Sequence, residues 1–155
     1  MAIVKNVIVK KSATIEFQFR AENAGYVGVV FKYVDSNNYY TFEIGGGDDI
    51  TKRFFQIRKK IDNSFSVIKR FNSNEEISSL PFFGYDLRSW YDISIELIDD
   101  NISVFASLLG TTAKMQVMKV QDSSIPTGRV GFLSNGTKVV FAEIFIRPIP
   151  VAYST

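Results

Sequence analysis

The chain has 155 residues, of which 46% are hydrophobic, and a formal net charge of +2. That length suits one domain with a proper core, and the apolar share excludes a disordered chain. Cysteine and histidine are both absent, which excludes disulfides, thiolate chemistry and His-based triads and leaves oxygen donors for any metal.

No apolar run approaches the roughly 18–20 residues of a membrane-spanning helix. No basic segment followed by an apolar stretch and a cleavage site opens the chain, so no signal peptide is expected. Lys and Arg are interspersed with acids except at Arg58-Lys59-Lys60, which argues against nucleic acid as a partner.

Residues Ile3 to Lys11 read as a first apolar strand or lead-in. Ala13 to Arg20 alternates cleanly, with Ala13, Ile15, Phe17 and Phe19 on one side, the mark of a half-buried antiparallel strand. Gly25 to Ile44 reads as a hairpin about Asp35-Ser36-Asn37-Asn38. A turn centred on Ser36-Asn37 sets Tyr33 opposite Tyr40, Phe31 opposite Phe42 and Val29 opposite Ile44. It places Lys32, Tyr39, Thr41 and Glu43 on the other face. Strands follow at Thr51–Arg58 and Phe65–Phe71. The longest irregular piece, Asn72 to Arg88, carries an aromatic loop with Phe82, Phe83 and Tyr85.

Trp90 to Leu97 and Ile102 to Leu108 form a second hairpin about Asp99-Asp100, pairing Leu97 with Ile102, Ile95 with Val104 and Ile93 with Ala106. Met115–Val120, Arg129–Leu133 and Thr137–Arg147 complete the strands. Asn135-Gly136 supplies a turn, and Pro148 and Pro150 stop further pairing. No stretch holds a 3.6-residue period with caps. The expected fold is all-β: one domain over residues 1–155, a two-sheet antiparallel β-sandwich with little or no helix.

The order of these motifs carries a resemblance. A strand Gly-x-Val-Gly followed by two aliphatics and Phe-x-Tyr precedes Asp35-Ser-Asn-Asn-Tyr-Tyr40. Later come Trp90 opening a strand, a short turn, and Asp122-x-x-Ile-Pro-x-Gly-Arg-Val-Gly-Phe132, then an apolar closing strand. From Ala13 to Ile146 the chain resembles the laminin-G-like and concanavalin A-like lectin/glucanase jelly-roll superfamily. In pattern it is similar to the thrombospondin C-terminal type of domain. The resemblance implies two curved, stacked sheets and an extracellular or secretory-pathway recognition module for glycans or proteins, within a larger adhesive protein. Some relatives bind calcium at the rim and some are glycoside hydrolases.

Candidate sites follow from residue chemistry. Glycosidic cleavage needs two carboxylates flanking one bond. Asp92 and Glu96 share a strand face but stand roughly 13 Å apart along it, and Glu16 and Glu143 are single acids. No catalytic residues are therefore expected, and a glycoside-active enzyme is the weakest reading. Calcium would draw on Asp35, Asn37, Asp48, Asp49 and Asn135, which are also what turns require. A glycan or protein ligand would use exposed aromatics beside polar groups: Tyr26, Lys32, Tyr39, Thr41, Glu43 and Arg53 on the hairpin face, and Tyr85 and Arg88 in the loop. Packing is the competing explanation for both sets. Arg58-Lys59-Lys60 with Lys69 and Arg70 could line a basic strip. Asn101-Ile-Ser103 and Asn135-Gly-Thr137 match the N-glycosylation acceptor pattern. The expected function is a non-catalytic recognition module, with a structural or assembly domain as the alternative.

Overall fold

The computed structural model describes residues 1–9, 12–77, 80–110 and 113–149, with backbone alone for residues 5–9. Eleven strands form: β1 (Ala2–Val9), β2 (Ser12–Ala21), β3 (Gly25–Asp35), β4 (Asn38–Gly46), β5 (Phe54–Ile61), β6 (Ser64–Phe71), β7 (Trp90–Ile98), β8 (Asn101–Leu108), β9 (Met115–Gln121), β10 (Gly128–Asn135) and β11 (Val139–Pro148). Two single turns of 3-10 helix, Ile50–Lys52 and Asn74–Ile77, are the only helical pieces among the described residues. Lys10 and Lys11, at the end of the expected first strand, and Pro150 lie outside the described residues.

The strands make two sheets, ordered β1-β10-β3-β4-β5-β6 and β11-β2-β7-β8-β9. Neighbouring strands pair antiparallel throughout. Period-two alternation turns one face of each sheet inward. The six-stranded sheet supplies Val27, Val29, Phe31, Tyr40, Phe42, Ile44, Phe55 and Ile57, all buried. The five-stranded sheet supplies Ile15, Phe17, Phe19, Ile93, Ile95, Leu97, Ile102 and Val104. Aromatic contacts knit the two together. Phe17 meets Phe132 edge-on at 5.2 Å between centroids, and Phe19 stands edge-on to Tyr85 at 6.0 Å. The fold is the expected all-β jelly-roll sandwich.

The β7–β8 hairpin has the expected register, with Leu97 opposite Ile102 and Ile95 opposite Val104. The β3–β4 hairpin departs from it. The turn is as expected, with Asp35 opposite Asn38. Beyond it, however, Phe31 pairs with Tyr40, Val29 with Phe42 and Val27 with Ile44, a shift of two residues. A bulge is the cause: Lys32, Tyr33 and Val34 on β3 oppose Tyr39 alone, and Lys32 takes a left-handed conformation (φ 49°). A shift of two preserves the faces of Phe31, Val29, Tyr40, Phe42 and Ile44. Tyr33, expected inside, moves outward and stacks on Tyr39 at 5.7 Å. Thr51 also departs from expectation. It lies in the 3-10 turn Ile50–Lys52, capped by Asp49, and β5 begins only at Phe54.

One end of the sandwich is closed by a polar latch. The Tyr40 hydroxyl reaches through the core edge and donates to Asp122 Oδ1, while the Ile125 amide donates to the same hydroxyl at 3.1 Å. Lys59 Nζ donates to Asp122 Oδ2 at 2.8 Å and to Ser124 Oγ at 2.9 Å. The loop after β9 is thereby tied to β4 and β5, and Ile125 is sealed into the core. Burial alone would raise the Asp122 pKa. The hydrogen bonds from Lys59, Tyr40 and Ser124 outweigh it and hold the carboxyl well below the usual carboxylate range. A depressed folded-state pKa stabilises the protein above the unfolded value, about 3.9, and that contribution is lost as pH falls through the folded one. Asp122→Asn is accordingly expected to cost about 1–3 kcal/mol at pH 7. The gap to the parent should narrow below about pH 4. Urea unfolding of both proteins across pH checks this, and a pH-independent gap would refute the latch.

Candidate functional site

The outward face of the six-stranded sheet carries a network of polar side chains. Alternation from β4 places Tyr39, Thr41, Glu43 and Gly45 on it. Their partners on β5 are Lys60, Arg58, Gln56 and Phe54. On β6, Phe65, Val67 and Arg70 stand opposite Lys60, Arg58 and Gln56. These side chains therefore form a grid with aromatic ends and a charged centre.

At the centre lies Glu43, with no exposure. Its carboxylate accepts from Thr41 Oγ1 at 3.0 Å, from Gln56 Nε2 at 2.6 Å, and from Arg58 Nε and Nη2 at 3.1 and 2.6 Å. Gln56 Oε1 in turn accepts from Arg70 Nη1 at 3.0 Å, and Arg70 Nε donates to Asn72 Oδ1 at 2.6 Å. A buried carboxylate is tolerated only when paired and hydrogen-bonded in this way. The arrangement holds Arg58 by its Nε–Nη2 edge on Glu43, and holds Arg70 from two sides, through Nη1 on Gln56 and Nε on Asn72. Among the described residues, Arg58 Nη1 and Arg70 Nη2 carry no hydrogen bond.

Aromatic rings bracket this centre. Arg58 lies over Phe65 at 4.2 Å and Arg70 over Phe54 at 4.3 Å. Tyr39 packs between Tyr33, stacked at 5.7 Å, and Phe65, edge-on at 6.0 Å. At the other end Tyr26 meets Phe54 at 6.1 Å. Gly45 is required there, because a Cβ would collide with the Phe54 ring lying over the strand.

The expected site residues divide sharply. Tyr26, Tyr39, Thr41 and Glu43 do share this face. Tyr39, Thr41 and Glu43 are buried within it, so they shape the surface from beneath. Lys32 does not belong to it, contrary to expectation. The bulge turns its side chain to the sandwich end, where Nζ donates to the Asp99 carbonyl at 3.1 Å and lies 5.7 Å from the Tyr40 ring. Burial there lowers its pKa, against the pull of Asp100, Asp122 and Asp99. Arg53 is also elsewhere. It bridges the loops at the far end, donating to the Gly47 and Phe83 carbonyls and pairing with Asp86 at 2.6 Å.

Tyr85 is a core residue and presents nothing to a ligand. Its ring is fully buried and its hydroxyl donates to the Asn23 carbonyl at 2.8 Å. Arg88 is exposed, and its left-handed backbone (φ 61°) delivers the amide to the Ala21 carbonyl. The basic run splits by alternation. Arg58 and Lys60 face outward, while Lys59 turns to Asp122.

The candidate calcium ligands are not brought together. Asp35 and Asn37 cap the turn at one end of β4, and Asp48 and Asp49 follow its other end. Asp35 accepts from the Asn37 amide and Asn38 Nδ2, which lowers its pKa. Asp49 accepts from the Thr51 hydroxyl and amide, which lowers its own. Both patterns are turn chemistry. Asn135 Nδ2 donates to the Tyr26 hydroxyl at 3.2 Å. Among the described residues no three His, Cys, Asp or Glu side chains cluster as a metal site.

Sequence reasoning missed Gln56, Phe54 and Phe65 and placed Arg58 and Arg70 in a separate strip. The signal was present in the period-two spacing Phe54, Gln56, Arg58, Lys60 beside the Asp62-Asn63 turn. The bulge between Ile57 and Arg58 on the β5–β6 pair hid the matching positions on β6.

No protein-family model and no curated protein matches the chain. Solved structures do. Galectin-Ib of Xenopus laevis is 16% identical with a TM-score of 0.65, the match covering 94% of this chain and 98% of that one. Chicken galectin 2 is 11% identical with a TM-score of 0.64, covering 95% and 98%. The GH43 BlXynB protein of Bacillus licheniformis is 11% identical with a TM-score of 0.62, covering 90% of this chain but 28% of that one. At such identities the likeness is one of fold alone, a two-sheet antiparallel jelly-roll sandwich.

Two outcomes are expected. Glu43→Gln, which leaves Arg58 without its buried counter-charge, should cost about 3–5 kcal/mol in chemical denaturation. Thr41→Val, which removes one hydrogen bond of four to that carboxylate, should cost about 1 kcal/mol. Separately, the melting temperature should agree within about 1 °C between millimolar calcium and a chelator, since a bound cation would raise it.

Proposed function

We propose that the chain is a non-catalytic glycan-recognition module that binds its sugar on the outward face of the six-stranded sheet. One observation carries this reading: two aromatic-backed guanidinium groups, Arg58 held by one edge and Arg70 from two sides, adjoin a fully satisfied Glu43 network. Sugars present apolar C–H faces and rings of hydroxyl groups. Aromatic planes suit the first, and fixed forked donors suit the second. Because Glu43 and Gln56 hold the forks, little side-chain entropy remains to be lost on binding. The galectin-like fold supports a lectin-like reading of the class.

The carboxylates support a non-catalytic role. Asp92 and Glu96 lie on the opposite sheet, and Asp92 pairs with Lys114 at 3.3 Å. Glu43 is sealed within its network, and Glu143 is exposed on the β11 bulge. A closer kinship with thrombospondin C-terminal-type domains, and an extracellular setting, belong to the same proposal and rest on the Asp35–Tyr40 hairpin tip. A protein-contact role is favoured by the edge strand β11, which exposes Val140, Ile144 and Phe145.

A glycan array followed by calorimetric titration tests the reading. Phe65→Ala, at an exposed ring, and Arg58→Lys, which keeps the charge but removes the fork, should each weaken binding about tenfold. Asp92→Asn on the opposite sheet should leave it unchanged. Glycan affinity indifferent to both face variants would refute the site, and a silent array would refute the function.

A further inference from the structure

Beyond the Phe54 end of this face lies a cavity of about 690 Å³ between the connection before β5 and the loop before β7. That volume falls within the range of small-molecule sites, roughly 300–1,000 Å³. Its lining combines apolar Ile50, Phe82 and Phe83 with polar Thr51, Asn72 and Asn74. We infer that this cavity receives an apolar substituent, an aryl or acyl group, carried by the glycan bound on the adjoining face. The inference rests on the glycan reading and extends it to the chemistry of the ligand.

The cavity is preformed. Phe83 stands perpendicular to the buried Phe55 at 5.1 Å, and Phe82 packs on Tyr91 at 5.3 Å. Arg53 locks the two loops together, with Nε and Nη2 on the Gly47 carbonyl, Nη1 on the Phe83 carbonyl and Nη2 on Asp86. That guanidinium, in the wall, is therefore engaged and neutralised by Asp86. The lining selects an uncharged group over an acid or an amine.

Continuity with the face is direct. Arg70, which contacts Gln56 at the centre of the face, also donates to Asn72 in the cavity wall. A ligand lying across Arg58 and Arg70 reaches the cavity along that side chain. Ile50 is 72% exposed and makes up part of the apolar lining. An exposed aliphatic at a cavity mouth has surface to gain from covering an apolar group.

Paired ligands test this. Methyl and phenyl β-glycosides of glucose, galactose, xylose and N-acetylglucosamine are titrated into the full chain and followed by amide chemical shifts. Phenyl glycosides should move Asn74, Phe82 and Phe83 and bind about tenfold tighter than their methyl partners. Ile50→Ser, a substitution at an exposed site, should reduce that gain severalfold without altering methyl-glycoside affinity. Equal shifts at Gln56 and Arg58 with cavity amides silent would overturn the inference and leave the face reading standing. Cavity shifts without face shifts would overturn both, since the group would then enter without a glycan on the face. No shifts at either place with any phenyl glycoside would overturn both.

Discussion

A carboxylate with no exposure has to be satisfied where it stands, and Glu43 sets that condition at the middle of the six-stranded sheet. Its position on β4 leaves no choice of face. Phe42 and Ile44 beside it are buried in the sandwich, so Glu43 must point away from the core. Satisfying it recruits Thr41 from its own strand and Gln56 and Arg58 from β5, and Gln56 then recruits Arg70 from β6. Three strands are thereby tied across the face by side chains as well as by their backbone ladders. The same ties decide which way the guanidinium forks point.

Two other polar clusters do comparable work at the ends of the sandwich. Asp122 gathers Tyr40, Lys59 and Ser124 at one end and brings Ile125 into the core. Arg53 gathers Gly47, Phe83 and Asp86 at the other. Each takes a loop that carries no ladder of its own and fixes it against β4 or β5. The two clusters fix loops at the ends of the sandwich as the Glu43 network fixes the face between them. Charge serves geometry here more than cohesion. The apolar alternation and the inter-sheet aromatic contacts hold the sheets together.

The site was legible in part. Alternation in β4 announced that Tyr39, Thr41 and Glu43 would share a face, and they do. It could not announce that all three would be buried there, because the covering groups come from strands β5 and β6. Lys32 was misplaced for a local reason. A left-handed residue inside a strand reverses the direction of its side chain, and nothing in Phe31-Lys32-Tyr33 distinguishes it from regular strand. Tyr85 was misplaced for a distant reason, since its burial depends on Phe19 and Gly46, far from it in sequence.

The sequence by itself determined the all-β class, the main turns, the inward faces of β2, β4, β7 and β8 and the register of the β7–β8 hairpin. These depend on period-two alternation and turn residues, which act over a few neighbouring positions. Only the tertiary structure decided which strands neighbour one another and where the bulges fall. It also decided which polar side chains from separate strands meet over Glu43. Those outcomes depend on pairings between segments tens of residues apart, such as β3 with β10. No local pattern encodes the position of a partner, so the site came into view only when the sheets were assembled.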